Sequence, residues 1–119
     1  MPNPYGAPEI SVQDIAAKLN AQESFVLLDV REPYELQNAS LAPGTYELVP
    51  LSDLAARQLA ALPERAQDQD AEIAVLCHHG IRSAQVTAWL RQQGWTNVLS
   101  VAGGIDAYAR EVDSSVGMY

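Results

Sequence analysis

Along the chain, apolar residues fall into two patterns: short continuous runs, and stripes at the three- and four-residue spacing of a helix face. Ser11 stands where an N-cap is needed, with Asp14 in a capping-box position and Ile15, Ala16 and Leu19 on one side of the helix that follows. Phe25 to Val30 is a continuous apolar run closed by Asp29, as expected for a strand buried on both faces. Glu32 to Gly44 contains Pro33, Pro43 and Gly44 and reads mainly as loop, and Tyr46 to Val49 as a short strand. Ser52 is the expected cap of a second helix, with Leu54, Leu59 and Leu62 on one side and Pro63 as its stop. Glu64 to Ala71 is polar and reads as a surface connection. Ile73 to Leu76 is a third apolar run. Ser83 to Gln93 turns helical, with Val86, Trp89 and Leu90 apolar and Gly94 just past the end as a C-cap. Val98 to Val101 is another strand, and Ala102-Gly103-Gly104 turns into a last helix, Ile105 to Val112. Residues 1–8 and 114–119 are expected to be extended tails.

Strands separated by helices on short loops imply an α/β fold with a mainly parallel sheet. At 119 residues the chain fits one domain spanning 1–119. Its 48% hydrophobic and 18% charged residues suit a soluble globular protein, and no apolar run approaches the length of a membrane span. The beginning of the chain lacks the basic and apolar stretches of a secretion signal, so a cytoplasmic location is expected. A net charge of -8, with Lys18 the one lysine, argues against a nucleic-acid partner. The same charge repels small anions, so any anionic ligand must be drawn in by a local field.

Cys77 is the single cysteine, which excludes an internal disulfide and a cysteine-rich zinc cluster. A lone cysteine is ordinarily a small buried hydrophobe. Its setting argues otherwise, because Val75-Leu76-Cys77-His78-His79-Gly80-Ile81-Arg82-Ser83 places it at the C-terminal edge of a buried strand, before a tight loop and a helix start. Ligands bind at this place in open parallel sheets. Free N–H groups of the loop and the helix N-terminus favour an anion there, and Arg82 adds a cation whose planar fork suits an oxyanion. Such a field favours the thiolate, the reactive form of cysteine. Gly80 supplies the backbone freedom a loop needs to curl around its own sulfur. Four residues separate Cys77 from Arg82. Cysteine-dependent phosphatases use five, so this smaller ring suits one sulfur atom better than a tetrahedral phosphate.

The segment 77–83 resembles the active-site loop of single-domain rhodaneses, a sulfurtransferase family. Three other segments agree in order: Leu28-Asp29-Val30-Arg31-Glu32-Pro33-Tyr34-Glu35, Gly94-Trp95-Thr96-Asn97-Val98, and Val101-Ala102-Gly103-Gly104-Ile105-Asp106-Ala107-Tyr108. The resemblance runs from about Glu9 to Asp113. It departs at Asn38-Ala39-Ser40-Leu41-Ala42-Pro43-Gly44, which lacks a histidine common in the family and reads as structural, and at the His78-His79 pair. The resemblance implies an open, mainly parallel sheet flanked by helices on both faces. It also implies transfer of a sulfane sulfur through a Cys77 persulfide, with His78, His79, Gly80, Ile81, Arg82 and Ser83 as the substrate-binding loop. The donor would be a small anion such as thiosulfate; the acceptor would be cyanide in the assay and a thiol or protein in the cell. No metal or organic cofactor is needed, and a monomer is expected.

Several readings compete. His78 and His79 either lend positive charge to the donor as they titrate near neutrality, or space the loop while only their N–H groups matter. A zinc site of Cys77, His78 and His79 is disfavoured, because adjacent histidines do not easily face one metal together with the neighbouring cysteine. Asp29 and Arg31 read as a structural ion pair fixing the turn, the alternative being support of the pocket by Arg31 and of the active loop by Asp29. Trp89, Trp95 and Tyr108 are expected in the core or pocket wall. At the level of function, the alternatives are a sulfur-relay domain serving a cofactor-biosynthesis carrier protein, a cysteine-based phosphatase or arsenate reductase, and a non-catalytic interaction module.

Overall fold

The computed structural model describes residues 3–119. Side chains alternate across a strand, so a segment apolar at every position requires cover on both faces. Two such segments, β2 (Val26–Asp29) and β4 (Ile73–Leu76), are buried at every residue and lie side by side. Outside them run β5 (Val98–Val101) and β3 (Glu47–Leu48), with β1 (Glu9–Ile10) at the far edge. The sheet order is β1-β5-β4-β2-β3, and every pairing is parallel.

Parallel neighbours need crossovers, and helices supply them on both sides of the sheet. The helices are α1 (Val12–Asn20), α2 (Leu51–Arg57), α3 (Ile81–Gln92) and α4 (Gly104–Glu111). On one face Val26, Leu28, Ile73, Val75 and Val98 pack against Leu54 of α2 and Val86 and Leu90 of α3. On the other, Leu27, Ala74, Leu76 and Val101 pack against Val12 and Ile15 of α1 and Ile105 and Tyr108 of α4. The expected α/β architecture, with a parallel sheet between two helical layers, is the observed one. Among the described residues no helix is long and apolar enough to cross a membrane.

Several local expectations change. Ser11 caps α1 by accepting from the Asp14 N–H at 3.1 Å, as expected. By contrast, α2 begins at Leu51 behind Pro50, with Ser52 already inside it. The Ser52 hydroxyl instead donates to Glu32 at 2.7 Å. That helix is also shorter than its apolar spacing suggested, because Gln58 takes a positive φ of 54° and the chain continues as a 3-10 turn over Gln58–Ala61. α3 starts at Ile81, ahead of the expected Ser83. The polar segment after Pro63 is more than a surface connection, since Ala66 is buried and its carbonyl accepts the Trp95 indole N–H at 2.9 Å. Pro33–Gln37, expected as loop, is a 3-10 turn.

Among the described residues, neither 3–8 nor 114–119 is an extended tail. Asn3 Oδ1 accepts the N–H groups of Tyr5 and Ala7, each at 3.0 Å, and the Pro8 carbonyl accepts from Ser100 N–H at 2.9 Å. The part of the expected first tail that covers residues 1–2 lies outside the described residues. At the other end, Ser114–Val116 forms a 3-10 turn, and the Val116 carbonyl accepts from Ser40 N–H at 2.9 Å. Hydrogen bonds to the body of the fold and packing of half-buried Val116 against the α1/α4 core outweigh the chain entropy that a free tail would keep.

Candidate functional site

Cys77 to Gly80 joins the end of β4 to the start of α3, so the cysteine sits at the carboxyl edge of a central parallel strand. Its side chain is almost fully buried. The thiol donates to Ser83 Oγ at 3.3 Å, and the sulfur accepts the Gly80 N–H at 3.0 Å. Ser83 Oγ in turn lies 2.8 Å from Ser100 Oγ on β5, so two hydroxyls support the sulfur from below. Gly80 has φ 98°, and a Cβ there would stand 3.0 Å from the Gly103 nitrogen, so a side chain would be strained and crowded. The loop thus curls back on its own sulfur, as the sequence anticipated. The N–H groups of Ile81, Arg82 and Ser83 belong to the first turn of α3, which no side chain caps, and have no intrahelical acceptor. They leave a positive dipole end facing the loop.

A second layer holds the loop in place. Ile105 N–H donates to the Cys77 carbonyl at 2.8 Å and Asp106 N–H to the His78 carbonyl at 3.0 Å. This approach requires Gly104, whose φ is 64° and where a Cβ would come within 2.5 Å of both carbonyl oxygens. A Gly104→Ala variant is therefore expected to lose about 2 kcal/mol in urea unfolding, from a left-handed alanine and a displaced loop. A change below about 0.5 kcal/mol would show that the contact is not tight.

Arg82 does not present a free fork. Its Nη1 and Nη2 donate to Glu35 Oε2 and Oε1 at 2.7 and 2.8 Å, a bidentate pair. Glu35 also accepts the Glu32 N–H at 2.9 Å and the Tyr119 hydroxyl at 2.8 Å. The Arg82 guanidinium, against the opposing push of burial, holds the Glu35 carboxyl down to about 2. Glu35 in return raises Arg82, already a permanent cation. The oxyanion-holding role expected of Arg82 thus meets a partner that takes one N–H from each arm of the fork, and the main-chain N–H groups of the first turn of α3 stand beside it as further donors.

Asp29 and Arg31 form a buried ion pair. Asp29 Oδ2 lies 2.7 Å from Arg31 Nη2, with both side chains essentially inaccessible. Arg31 Nη1 donates to the Ala39 carbonyl at 2.8 Å, which pins the segment lacking the family histidine. Both Asp29 carboxylate oxygens accept from this guanidinium, and Arg31 Nη1 also donates to the Tyr119 hydroxyl at 3.2 Å. Of the two readings for the histidines, His78 fits neither simply. Its ring stacks on Tyr119 at 3.7 Å between centroids, and its Nε2 lies 2.8 Å from the Tyr119 main-chain oxygen. Burial and the neighbouring His79 push the His78 imidazole below its ordinary value, which disfavours its charged form at neutrality. His79 is exposed, as is Ile81. Trp95 and Tyr108 are buried in the two core layers, with Trp89 partly so.

Three residues at the site escaped the sequence reading: Glu35, Ser100 and Tyr119. Glu35 carried a readable signal, an acid three residues beyond Glu32 across a proline, placed to accept its N–H. Ser100 was a polar interruption in a strand. Tyr119 gave no signal, because its position depends on how the last turn packs.

The sequence profile of the family described as "Rhodanese-like domain" matches residues 11–111. The chain is 35% identical over 114 residues to "Rhodanese-like/PpiC domain-containing protein 12, chloroplastic" of Arabidopsis thaliana, and covers 93% of its own length but only 37% of that protein. It is 36% identical over 88 residues to "Thiosulfate sulfurtransferase GlpE" of Actinobacillus succinogenes, covering 74% of this chain and 72% of the relative. In three dimensions it is similar to the crystal structure of a rhodanese-related protein from Thermoplasma volcanium, with a TM-score of 0.70 at 32% identity over 88% of this chain and 93% of that one. With the matched region running from the cap of α1 to the last residue of α4, the chain belongs to the rhodanese-like sulfurtransferase family.

Proposed function

We propose that the protein moves a sulfane sulfur from an anionic donor to a thiophilic acceptor through a persulfide on Cys77. The observation that carries this reading is the placement of the single cysteine's sulfur on the Gly80 N–H at 3.0 Å, beside the unpaired first turn of α3. In the first step the Cys77 thiolate attacks the outer sulfur of thiosulfate. A sulfur–sulfur bond forms to Cys77, the bond inside the donor breaks, and sulfite leaves with its electron pair. The terminal sulfur of the persulfide then carries the negative charge, which loop and helix N–H groups stabilise at no cost in reorganisation. In the second step cyanide, or a thiolate, attacks that sulfur; thiocyanate or a new persulfide departs and the Cys77 thiolate is restored. Each step conserves charge and needs no external oxidant, metal or cofactor.

This assignment answers the problem of an acidic protein handling an anion. The net charge of -8 acts at long range and is screened by salt, whereas oriented N–H groups act at hydrogen-bond distance. The test is intact mass after incubation with thiosulfate and desalting. A gain of one sulfur (about 32 Da), mapped to the Cys77 peptide and discharged by cyanide with one equivalent of thiocyanate, is expected from the nucleophilic scheme. Absence of the adduct with thiosulfate, mercaptopyruvate and a small-molecule persulfide alike would overturn the assignment.

A further inference from the structure

We propose that His78, His79 and Asp106 form a binding site for a divalent cation of the zinc(II) class, at the edge of the Cys77 loop. One ligand atom from each of the three residues lies within 4.8 Å of the other two. His79 Nδ1 is 3.9 Å from Asp106 Oδ2, and the two imidazole centroids are 3.8 Å apart. Neighbouring residues in an extended loop point their side chains apart; here the turn before Gly80 brings both rings to one side. Around a tetrahedral zinc ion with bonds of about 2.1 Å, ligand atoms stand roughly 3.4 Å from one another. Asp106 N–H donates to the His78 carbonyl at 3.0 Å, which ties the carboxylate's helix to the histidine loop.

The chemistry of the three groups suits a borderline cation. Two imidazoles and a carboxylate are a common donor set for zinc and its neighbours, and harder cations prefer oxygen alone. The surplus of acidic residues favours a cation anywhere on the surface, and this cluster is where nitrogen donors meet it. Two groups compete. Arg110 Nε lies 2.9 Å from Asp106 Oδ2, but that arginine is well exposed and free to swing away. The Tyr119 main-chain oxygen occupies one side of His78 Nε2, so the ion takes His78 through Nδ1 or displaces that contact. Cys77 is not a member of the set, since its sulfur is buried and committed to Gly80 and Ser83. The donor set therefore differs from the disfavoured cysteine–histidine–histidine one, with an aspartate of α4 as third ligand.

Binding can be read without any sulfur chemistry, so the outcome is independent of the proposed function. Zinc(II) is titrated calorimetrically into metal-free Cys77→Ser protein, and into that protein carrying His79→Ala or Asp106→Asn. One equivalent is expected to bind the Cys77→Ser protein, and each added substitution is expected to weaken it about tenfold or more. Cobalt(II) on the wild-type protein is expected to show ligand-field bands without the intense near-ultraviolet thiolate charge-transfer band. No binding to the Cys77→Ser protein at zinc concentrations up to about 1 mM, where association is worth only about 4 kcal/mol, would overturn the site. So would undiminished affinity in either added variant, or a thiolate band in the cobalt spectrum.

Discussion

A Cys77→Ser variant is expected to lose sulfur transfer by about 10³-fold or more while remaining folded. Serine fills nearly the same space, and its oxygen can take the Gly80 N–H and bond to Ser83 as the sulfur does. The stability change should therefore stay near 1 kcal/mol, with an unchanged near-ultraviolet circular dichroism spectrum. Chemistry fails for a different reason. An alcohol holds its proton at neutral pH, and the side chains around the position are Ser83 and, through it, Ser100, neither of which can remove that proton. Attack on a sulfur atom also favours a soft, polarisable nucleophile. The paired measurement is thiocyanate production and urea unfolding on the same preparation. Transfer within tenfold of wild type would mean that another group carries the sulfur, and the persulfide scheme would fall.

Glu35→Gln is expected to damage both stability and transfer, and to change how stability depends on pH. The two carboxylate oxygens of Glu35 accept from Arg82, from Glu32 N–H and from the Tyr119 hydroxyl. An amide has one acceptor oxygen, so in either orientation the substituted side chain points its NH₂ group at an Arg82 donor. Arg82 keeps its charge without a counter-ion. The Glu35 carboxyl moves from 4.5 to about 2 on folding, and at about 1.4 kcal/mol per pH unit this sets an upper bound of about 3.5 kcal/mol. Because the Arg82 side chain is about a third exposed, water recovers part of that, and a loss of about 2 kcal/mol is expected at pH 7.

The sign of the pH effect follows from the direction of the displacement. A carboxyl lowered by folding contributes stability above its unfolded value, and that contribution fades as pH falls from 4.5 toward about 2. Wild type should therefore lose an increment of stability across this window that Glu35→Gln lacks, so the two urea midpoints converge in acid. Transfer should fall about tenfold or more, because Arg82 lies in the first turn of α3 and its tether sets how that turn meets the sulfur. A midpoint unchanged at pH 7, or two curves that stay parallel down to pH 2, would show that the pair is not holding the loop.

Which features are legible in the sequence depends on the range of the interactions that make them. Runs such as Val26-Leu27-Leu28 and Ile73-Ala74-Val75-Leu76 announce strands covered on both sides, since any other placement would leave apolar side chains in water. Ser11 as a cap and Gly80 as the turn residue follow from local hydrogen bonding and sterics. The start of α2 was misplaced by the same local logic, because Pro50 at its entry and the pull of Glu32 on Ser52 compete with a serine cap. The edge strand Glu9–Ile10 was missed because so short a segment has no period of its own and exists only through its pairing with β5.

What the sequence by itself determined is the scaffold and the place of the cysteine: an α/β sheet with one cysteine at the carboxyl edge of a buried strand, followed by a loop with a glycine and a helix start. These depend on contacts within a few residues, and on burial, which composition and periodicity encode directly. Tertiary structure alone decided what surrounds that centre. Glu35 meets Arg82 across 47 positions of sequence, Ser100 reaches Ser83 across 17, and Tyr119 reaches Glu35 across 84. Asp106 comes to the histidines only because Gly104 admits two carbonyls where a Cβ would stand. Partners so distant in the chain leave no local pattern, since their meeting depends on sheet order and loop packing.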